Sequence, residues 1–333
     1  MTAPSNRAPS PRYGTGTPTS RLHMTPRLGP PDEALAQMLR TLELTITHKL
    51  SGLLHGQYQG LTPGHGSEPG EARTYIPGDD VRRIDWNVTA RTQELHVRDL
   101  IADHDLEAWL AVDASPSMAF GTDKAEKRSV ALGAAAAVGF LTARGQNRIG
   151  AVIAAGREIK TFPPRGGRDH LRGMLMALAT TPVAAGGGGT DLGALADDVA
   201  RRAGRRGFVC LISDFLAPTD TWKQQVGTLA LRHDLLAIEI VDQRELDLPA
   251  IGSMTLQDPA TGAVREVRLT DAVRRRYAAA AATQREQIRA TIRATGAQHL
   301  QLQTNDDWLI TLMRYVHQRR RQPSVPNVKA VAR

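Results

Sequence analysis

The chain has 333 residues, of which 41% are hydrophobic and 23% charged, and it carries a net charge of +8. That length fits one large or two modest domains, and the composition excludes collagen-like and wholly disordered chains. Aromatic residues make up only 4%, so the apolar set is mainly Ala, Val and Leu, which suits helices packed closely on a sheet.

Residues 1–31 are rich in Pro, Ser, Thr and Gly and carry Arg7, Arg12, Arg21 and Arg27 without an acid. They read as a disordered basic tail with no apolar core of a secretory signal. A second basic stretch closes the chain: Arg314, Arg319, Arg320, Arg321, Lys329 and Arg333. These ten charges exceed the total, so residues 32–313 sum to −2 and the folded part is slightly acidic. Solubilising tails account for the excess; no aromatic-bearing nucleic-acid signature accompanies it.

Three regions follow the first tail: an N-terminal extension over 32–106, an α/β domain over 107–320 and the basic end 321–333. In the extension, Leu35, Met38, Leu39, Leu42 and Leu44 predict a helix from about Asp32 to Leu50. Residues 51–71 read as loop, and Pro77-Gly78-Asp79-Asp80 as a turn. From 107, short apolar runs alternate with helical stretches. Strands are expected at 107–112, 148–154 and 158–162, the last two paired across Ala155-Gly156-Arg157. An Ala-rich helix is expected over 124–144, with Asp123 capping it and Gly145 stopping it. Helices at 168–180, 191–204 and about 220–232 separate strands at 208–213 and 235–241. A hairpin (253–257 and 264–269, turning at 258–262), a helix over 271–295, a strand at 299–303 and a helix over 306–319 complete the series. The stripe of the long helix is Val273, Tyr277, Ala281, Ile288 and Ile292, and Gly296 lies beyond its end. Strand–helix alternation of this kind predicts a mainly parallel sheet covered by helices on both faces. No uncharged apolar run reaches the 18 or so residues of a membrane span, so a cytoplasmic protein is expected. The single cysteine, Cys210, falls inside an apolar strand and is read as core.

The chemistry-bearing residues gather at predicted strand ends, where open α/β sheets bind ligands. The first strand of the domain ends in Asp113-Ala114-Ser115-Pro116-Ser117. Gly186 to Gly189 deliver Thr190, followed by Asp191 at a helix start. The 208–213 strand runs into Asp214. Carboxylates and hydroxyls suit a hard divalent cation such as Mg²⁺ or Mn²⁺. The set Asp-x-Ser-x-Ser, Gly-Thr-Asp and strand-terminal Asp resembles the metal-ion-dependent adhesion site (MIDAS) of von Willebrand factor type A (vWA) domains. The resemblance implies a three-layer, Rossmann-like vWA domain over 107–320, with Asp113, Ser115, Ser117, Thr190 and Asp214 as metal ligands. It also implies one coordination position left for an acidic side chain of a partner protein. The upstream run from Tyr75 to Thr92, with Pro77-Gly78-Asp79-Asp80 and Arg82-Arg83-Ile84-Asp85-Trp86, is similar to the signature of the prokaryotic DUF58 family. Asp258 to Gly262 and the Tyr277 helix resemble that family's C-terminal part. The resemblance implies association with MoxR-type AAA+ ATPases; many family members have a membrane anchor, and this chain departs from them in showing no span.

Other readings of the same residues follow from the sequence. The glycine run carries neither a Gly-Lys-Ser/Thr ending nor a Gly-x-Gly-x-x-Gly pattern, which argues against nucleotide binding. Asp79, Asp80 and Asp85 with Arg82, Arg83 and Arg91 are expected to form an ion-pair network that fixes the extension to the sheet, with Trp86 as a packing anchor. Asp191 is expected to cap its helix and Asp242 to serve a turn. Arg201, Arg202, Arg205 and Arg206 are read as solvated charges at a helix end. His104-Asp105 has no accompanying nucleophile motif, and the histidines and lone cysteine offer no zinc set. The function expected is a metal-dependent protein-binding module without enzymatic activity. The alternatives are a metal-assisted hydrolase, with Asp191 as the best available base, and a nucleic-acid binder working through the tails.

Overall fold

The computed structural model describes residues 36–46, 68–75, 81, 84–101, 106–122, 125–143, 147–156, 158–182, 189–257 and 263–321. Helix α1 covers 36–46. Strand β1 (Glu68–Thr74), helix α2 (Trp86–Thr92) and strand β2 (His96–Ile101) follow, and β1 and β2 pair antiparallel. The α/β region comprises β3 (Glu107–Asp113), α3 (Lys127–Thr142), β4 (Arg148–Ala155), β5 (Glu158–Arg165), α4 (Arg168–Thr180), α5 (Leu192–Arg202), β6 (Phe208–Ser213), α6 (Lys223–Arg232) and β7 (Asp234–Val241). It closes with β8 (Ser253–Gln257), β9 (Val264–Arg268), α7 (Asp271–Ala294), β10 (Gln298–Gln303) and α8 (Trp308–Arg321).

Six strands form one sheet in the order β10-β7-β6-β3-β4-β5. All neighbours are parallel except β4 and β5, which join as an antiparallel hairpin across Gly156. The period of two along each strand divides the core. Ala108, Leu110 and Val112 of β3, with Phe208, Cys210 and Ile212 of β6, face a cluster built from α1, α3, α4 and α8. Trp109, Ala111, Val209 and Leu211 face the other way, against α5, α6 and α7. The result is three layers, helices–sheet–helices, as strands buried on both faces require. Small residues let α3 come close to its neighbours. A methyl group on Gly133 would lie 2.4 Å from the Trp308 ring of α8, and one on Gly139 would lie 2.5 Å from Leu171 of α4. On α1, Leu39 and Ile46 are buried, and Glu43 receives Arg172 of α4 at 2.8 Å. Among the described residues no helix is long and apolar enough to cross a membrane.

Several expectations need correction. The 51–71 loop gives way at Glu68 to β1, whose partner β2 lies 22 or more residues further along; a strand held by long-range pairing leaves little local signal. Helix α3 starts at Lys127 with Glu126 as its N-cap, and Glu126 makes no side-chain cap. The expected cap Asp123 and stop Gly145 lie outside the described residues, as do the turn at 258–262 and His104-Asp105. Asp85 caps α2, accepting from the Asn87 and Val88 amides at 3.0 and 3.2 Å. Arg91 bonds the Asn87 carbonyl; the other members of the expected ion-pair network, Asp79, Asp80, Arg82 and Arg83, are outside the described residues. Trp86 is 67% exposed and is not a packing anchor. Arg201 and Arg202 are paired rather than simply solvated, both to Asp198 one turn back on α5. Cys210 is fully buried, and burial pushes its thiol far above the ordinary range, as a core residue requires.

Candidate cation site at the sheet switch point

Chain direction reverses across the sheet between β3 and β6: from β3 the chain moves outward through β4 and β5, then returns to place β6 on the other flank of β3. The carboxyl ends at such a reversal form the crevice where open α/β sheets bind ligands. Asp113 ends β3, and Asp214 follows the last residue of β6.

Three segments build the crevice. In the first, the Asp113 carboxylate accepts the Ser115 amide at 2.9 Å, folding the strand end into a tight turn. Ser115 is the extended N-cap of a short 3-10 turn, Pro116–Ala119, and its side chain makes no capping bond. Its hydroxyl instead meets that of Ser117 at 3.0 Å. In the second, the buried Thr190 hydroxyl donates to the Ala154 carbonyl at the end of β4 at 3.2 Å, the same oxygen that receives the Ala114 amide. Thr190 also stabilises the Asp113 carboxylate. Gly186 to Gly188 lie outside the described residues. Asp191 caps α5, accepting the Ala194 amide at 2.9 Å, and so fixes the loop that carries Thr190. In the third, Ser213 donates to the other Asp113 oxygen at 2.7 Å and accepts the Phe215 amide. Phe215 has φ 55°, a left-handed conformation rare for an aromatic residue. It turns the backbone immediately after Asp214, which accepts the Leu216 amide at 3.1 Å and is stabilised by Ser117. Of the five expected residues, Ser115 bonds the Asp113 carboxylate through its amide and the Ser117 hydroxyl through its own hydroxyl, Thr190 lies beside Asp113, and Asp214 stands within electrostatic reach of Asp113 and Ser117.

The two carboxylates have opposite electrostatics. Burial and the Asp214 charge push Asp113 up, and the neighbouring Thr190 hydroxyl with the bonds from Ser115 and Ser213 offsets this only in part. All three of those donors are neutral. Burial also pushes Asp214 up, but Lys127, with Ser117 and the Leu216 amide, outweighs it and holds Asp214 below the ordinary carboxylate range. The Lys127 ammonium is fully buried at the first turn of α3, 2.7 Å from Asp214 Oδ2 and 2.5 Å from Glu245 Oε1. Burial disfavours its charge, yet the two acids prevail and raise its pKa. The ion pairs continue into α7. Arg285 donates to Glu245 at 2.7 Å, to Glu239 of β7 at 2.9 Å and to the Asp214 carbonyl at 3.0 Å; His299 bonds the second Glu239 oxygen at 2.8 Å. Asp242, at the end of β7, is fully buried and receives Thr122, Thr304 and the Arg244 amide, in a capping box with Glu245. Sequence reasoning did not assign Lys127, Ser213, Glu245 or Arg285 to this region. One signal was available: Arg285 interrupts the apolar stripe of α7 between Ala281 and Ile288, and a charged residue at a core position requires a buried partner.

Among the described residues no three His, Cys, Asp or Glu side chains group as a metal cage. The crevice offers two carboxylates and three hydroxyls, a set of hard oxygen donors.

A family model described as "Protein of unknown function DUF58" matches residues 71–287. The chain belongs to the DUF58 family. This DUF58 chain is 50% identical over 290 residues to the uncharacterized protein Rv1480 of Mycobacterium tuberculosis (strain ATCC 25618 / H37Rv), covering 87% of the chain and 91% of that protein. It is 42% identical over 159 residues to the uncharacterized protein MAV169 of Mycobacterium avium, covering 48% of the chain and 94% of that protein. Among solved structures, it is similar to an aerotolerance-related membrane protein of Bacteroides fragilis NCTC 9343, at 14% identity and a TM-score of 0.43, over 65% of the chain and all of that one. Conserved hypothetical protein BatB of Bacteroides thetaiotaomicron matches at 12% identity and a TM-score of 0.39, over 65% of the chain and all of that one.

Proposed function

We propose that this DUF58 protein is a divalent-cation-dependent protein-binding module of the vWA type, with the crevice between β3 and β6 as its MIDAS. The observation that carries the reading is Asp113: a buried carboxylate whose partners are all neutral donors, next to a second carboxylate. A buried charge in that position calls for a cation. Asp113, Ser115, Ser117, Thr190 and Asp214 would hold Mg²⁺ or Mn²⁺. When bound, the ion supplies a Lewis-acidic anchor for a carboxylate. Two ligand carboxylates, one of them already paired with Lys127, leave positive charge that favours a Glu or Asp of the partner. The partner is a MoxR-type AAA+ ATPase, the association that the family resemblance implies. The protein then acts as an adaptor in remodelling or maturing other proteins. Binding is favoured over hydrolysis because Asp191, the best candidate base, is occupied as the α5 cap.

The test uses the purified full-length chain and a MoxR-type ATPase from the same genome. Capture in Mg²⁺ is expected to be lost in EDTA and in Asp113→Ala, with circular dichroism unchanged. Equal capture with and without chelator refutes the proposal.

A further inference from the structure

Lys127 is a residue that the ligand set leaves unused. Its ammonium is fully buried, and its aliphatic stem enters from the first turn of α3, where its amide is held by the Phe120 carbonyl at 2.8 Å. The Phe120 ring lies 5.9 Å from Nζ and covers it. The charge is held between Asp214 and Glu245 at bonding distance. Such a placement gives the crevice a tethered monovalent cation in contact with one of its two acids. Both Asp214 oxygens are engaged, Oδ2 by Lys127 and Oδ1 by the Leu216 amide. Among the described residues Asp113 has no such counter-charge.

From this asymmetry we infer that Lys127 is a positioning residue that weakens the crevice for a divalent ion. It neutralises Asp214 and repels a second cation, so that occupancy depends on the carboxylate a partner brings. The inference rests on the cation-binding reading above and says how that site is regulated. Without Lys127, Asp113 and Asp214 would be two adjacent buried negative charges, a far stronger cation trap. With Lys127, the crevice stays assembled without an ion, and ion and acidic ligand bind cooperatively. Each supplies charge that the other needs.

The experiment titrates Mn²⁺ alone into the full chain, following the free-ion electron paramagnetic resonance signal and calorimetry. It compares wild type with Lys127→Met. A second variant, Lys127→Met/Glu245→Gln, removes the acid that the first would leave without its lysine. Near-ultraviolet circular dichroism reports whether each variant keeps its packing. Wild type is expected to bind Mn²⁺ weakly, and the variants about tenfold or more tightly, a gain that a damaged fold would not produce. Adding sodium acetate as an acidic-ligand probe is expected to tighten Mn²⁺ binding more in wild type than in the double variant. Equal or weaker binding by a folded double variant overturns the role of Lys127 and leaves the cation site standing. Absence of Mn²⁺ binding in all three, with or without acetate, overturns the cation site and this inference with it.

Discussion

Replacing Arg285 with Met tests whether the ion pairs behind the crevice hold α7 to the sheet. The residue is 6% exposed and its side chain makes three short bonds, to Glu239, to Glu245 and to the Asp214 carbonyl. Methionine fills most of the volume, so the loss is electrostatic. Glu239, itself buried, keeps only His299 among those side-chain partners, and Glu245 keeps Lys127. Breaking a buried pair from one side costs about 3–5 kcal/mol, because the remaining charge stays out of water. For a domain of this size that lowers the midpoint of thermal unfolding by roughly 10 °C. Arg285→Met/Glu239→Gln removes the stranded charge and is expected to recover more than half of the loss. Urea unfolding monitored by Trp fluorescence measures both variants. A loss below about 1 kcal/mol in the single variant, or no recovery in the double one, would show that the chain of charges does not anchor α7.

Two further predictions concern pH. Asp242 is buried, which pushes its carboxyl up, but the bonds from Thr122, Thr304 and the Arg244 amide prevail and hold it below the ordinary value. Its contribution is fully present above the unfolded-state pKa near 3.9 and is lost as pH falls through the lower folded value. Asp242→Asn should therefore flatten the acid limb of the stability curve and cost about 1–3 kcal/mol at neutral pH, measured by urea midpoints from pH 3 to 7. His233 is buried, and among the described residues neither ring nitrogen has a hydrogen-bond partner; burial, then the nearby Arg232 charge, lowers its pKa. The unfolded chain thus binds the proton more readily, and stability falls as pH drops through about 6.5. His233→Leu should remove that slope and, by relieving an unsatisfied polar group, stabilise the neutral protein by about 1 kcal/mol; an unchanged slope between pH 5 and 7.5 would refute the assignment.

Most of the α/β domain was legible because its strands are buried on both faces and its helices carry clear apolar stripes. The 168–180 helix and the 208–213 strand have the expected bounds. Strand-terminal Asp113 and Asp214 could be read as neighbours because parallel strands bring their carboxyl ends to one edge. What could not be read was the counter-charge. Lys127 stands at the start of an Ala-rich helix, where a lysine ordinarily faces water, and only the packing of α3 against the sheet buries it. Ser213 was read as the end of a strand, and its hydroxyl gains a role only from the register that sets β6 beside β3. In the extension, α2 is a seven-residue helix held by the Asp85 cap and buries none of its residues, so no apolar periodicity announced it.

The antiparallel strand β5 ends the sheet with Pro163 and Pro164 in succession. Neither has an amide hydrogen to offer, and since successive amides of a strand point to opposite sides, one of the two denies a rung to an extended chain laid along that border. Lys160 adds a charge that would have to be desolvated there. This rim of a large, aliphatic sheet is thereby protected against runaway fibre growth.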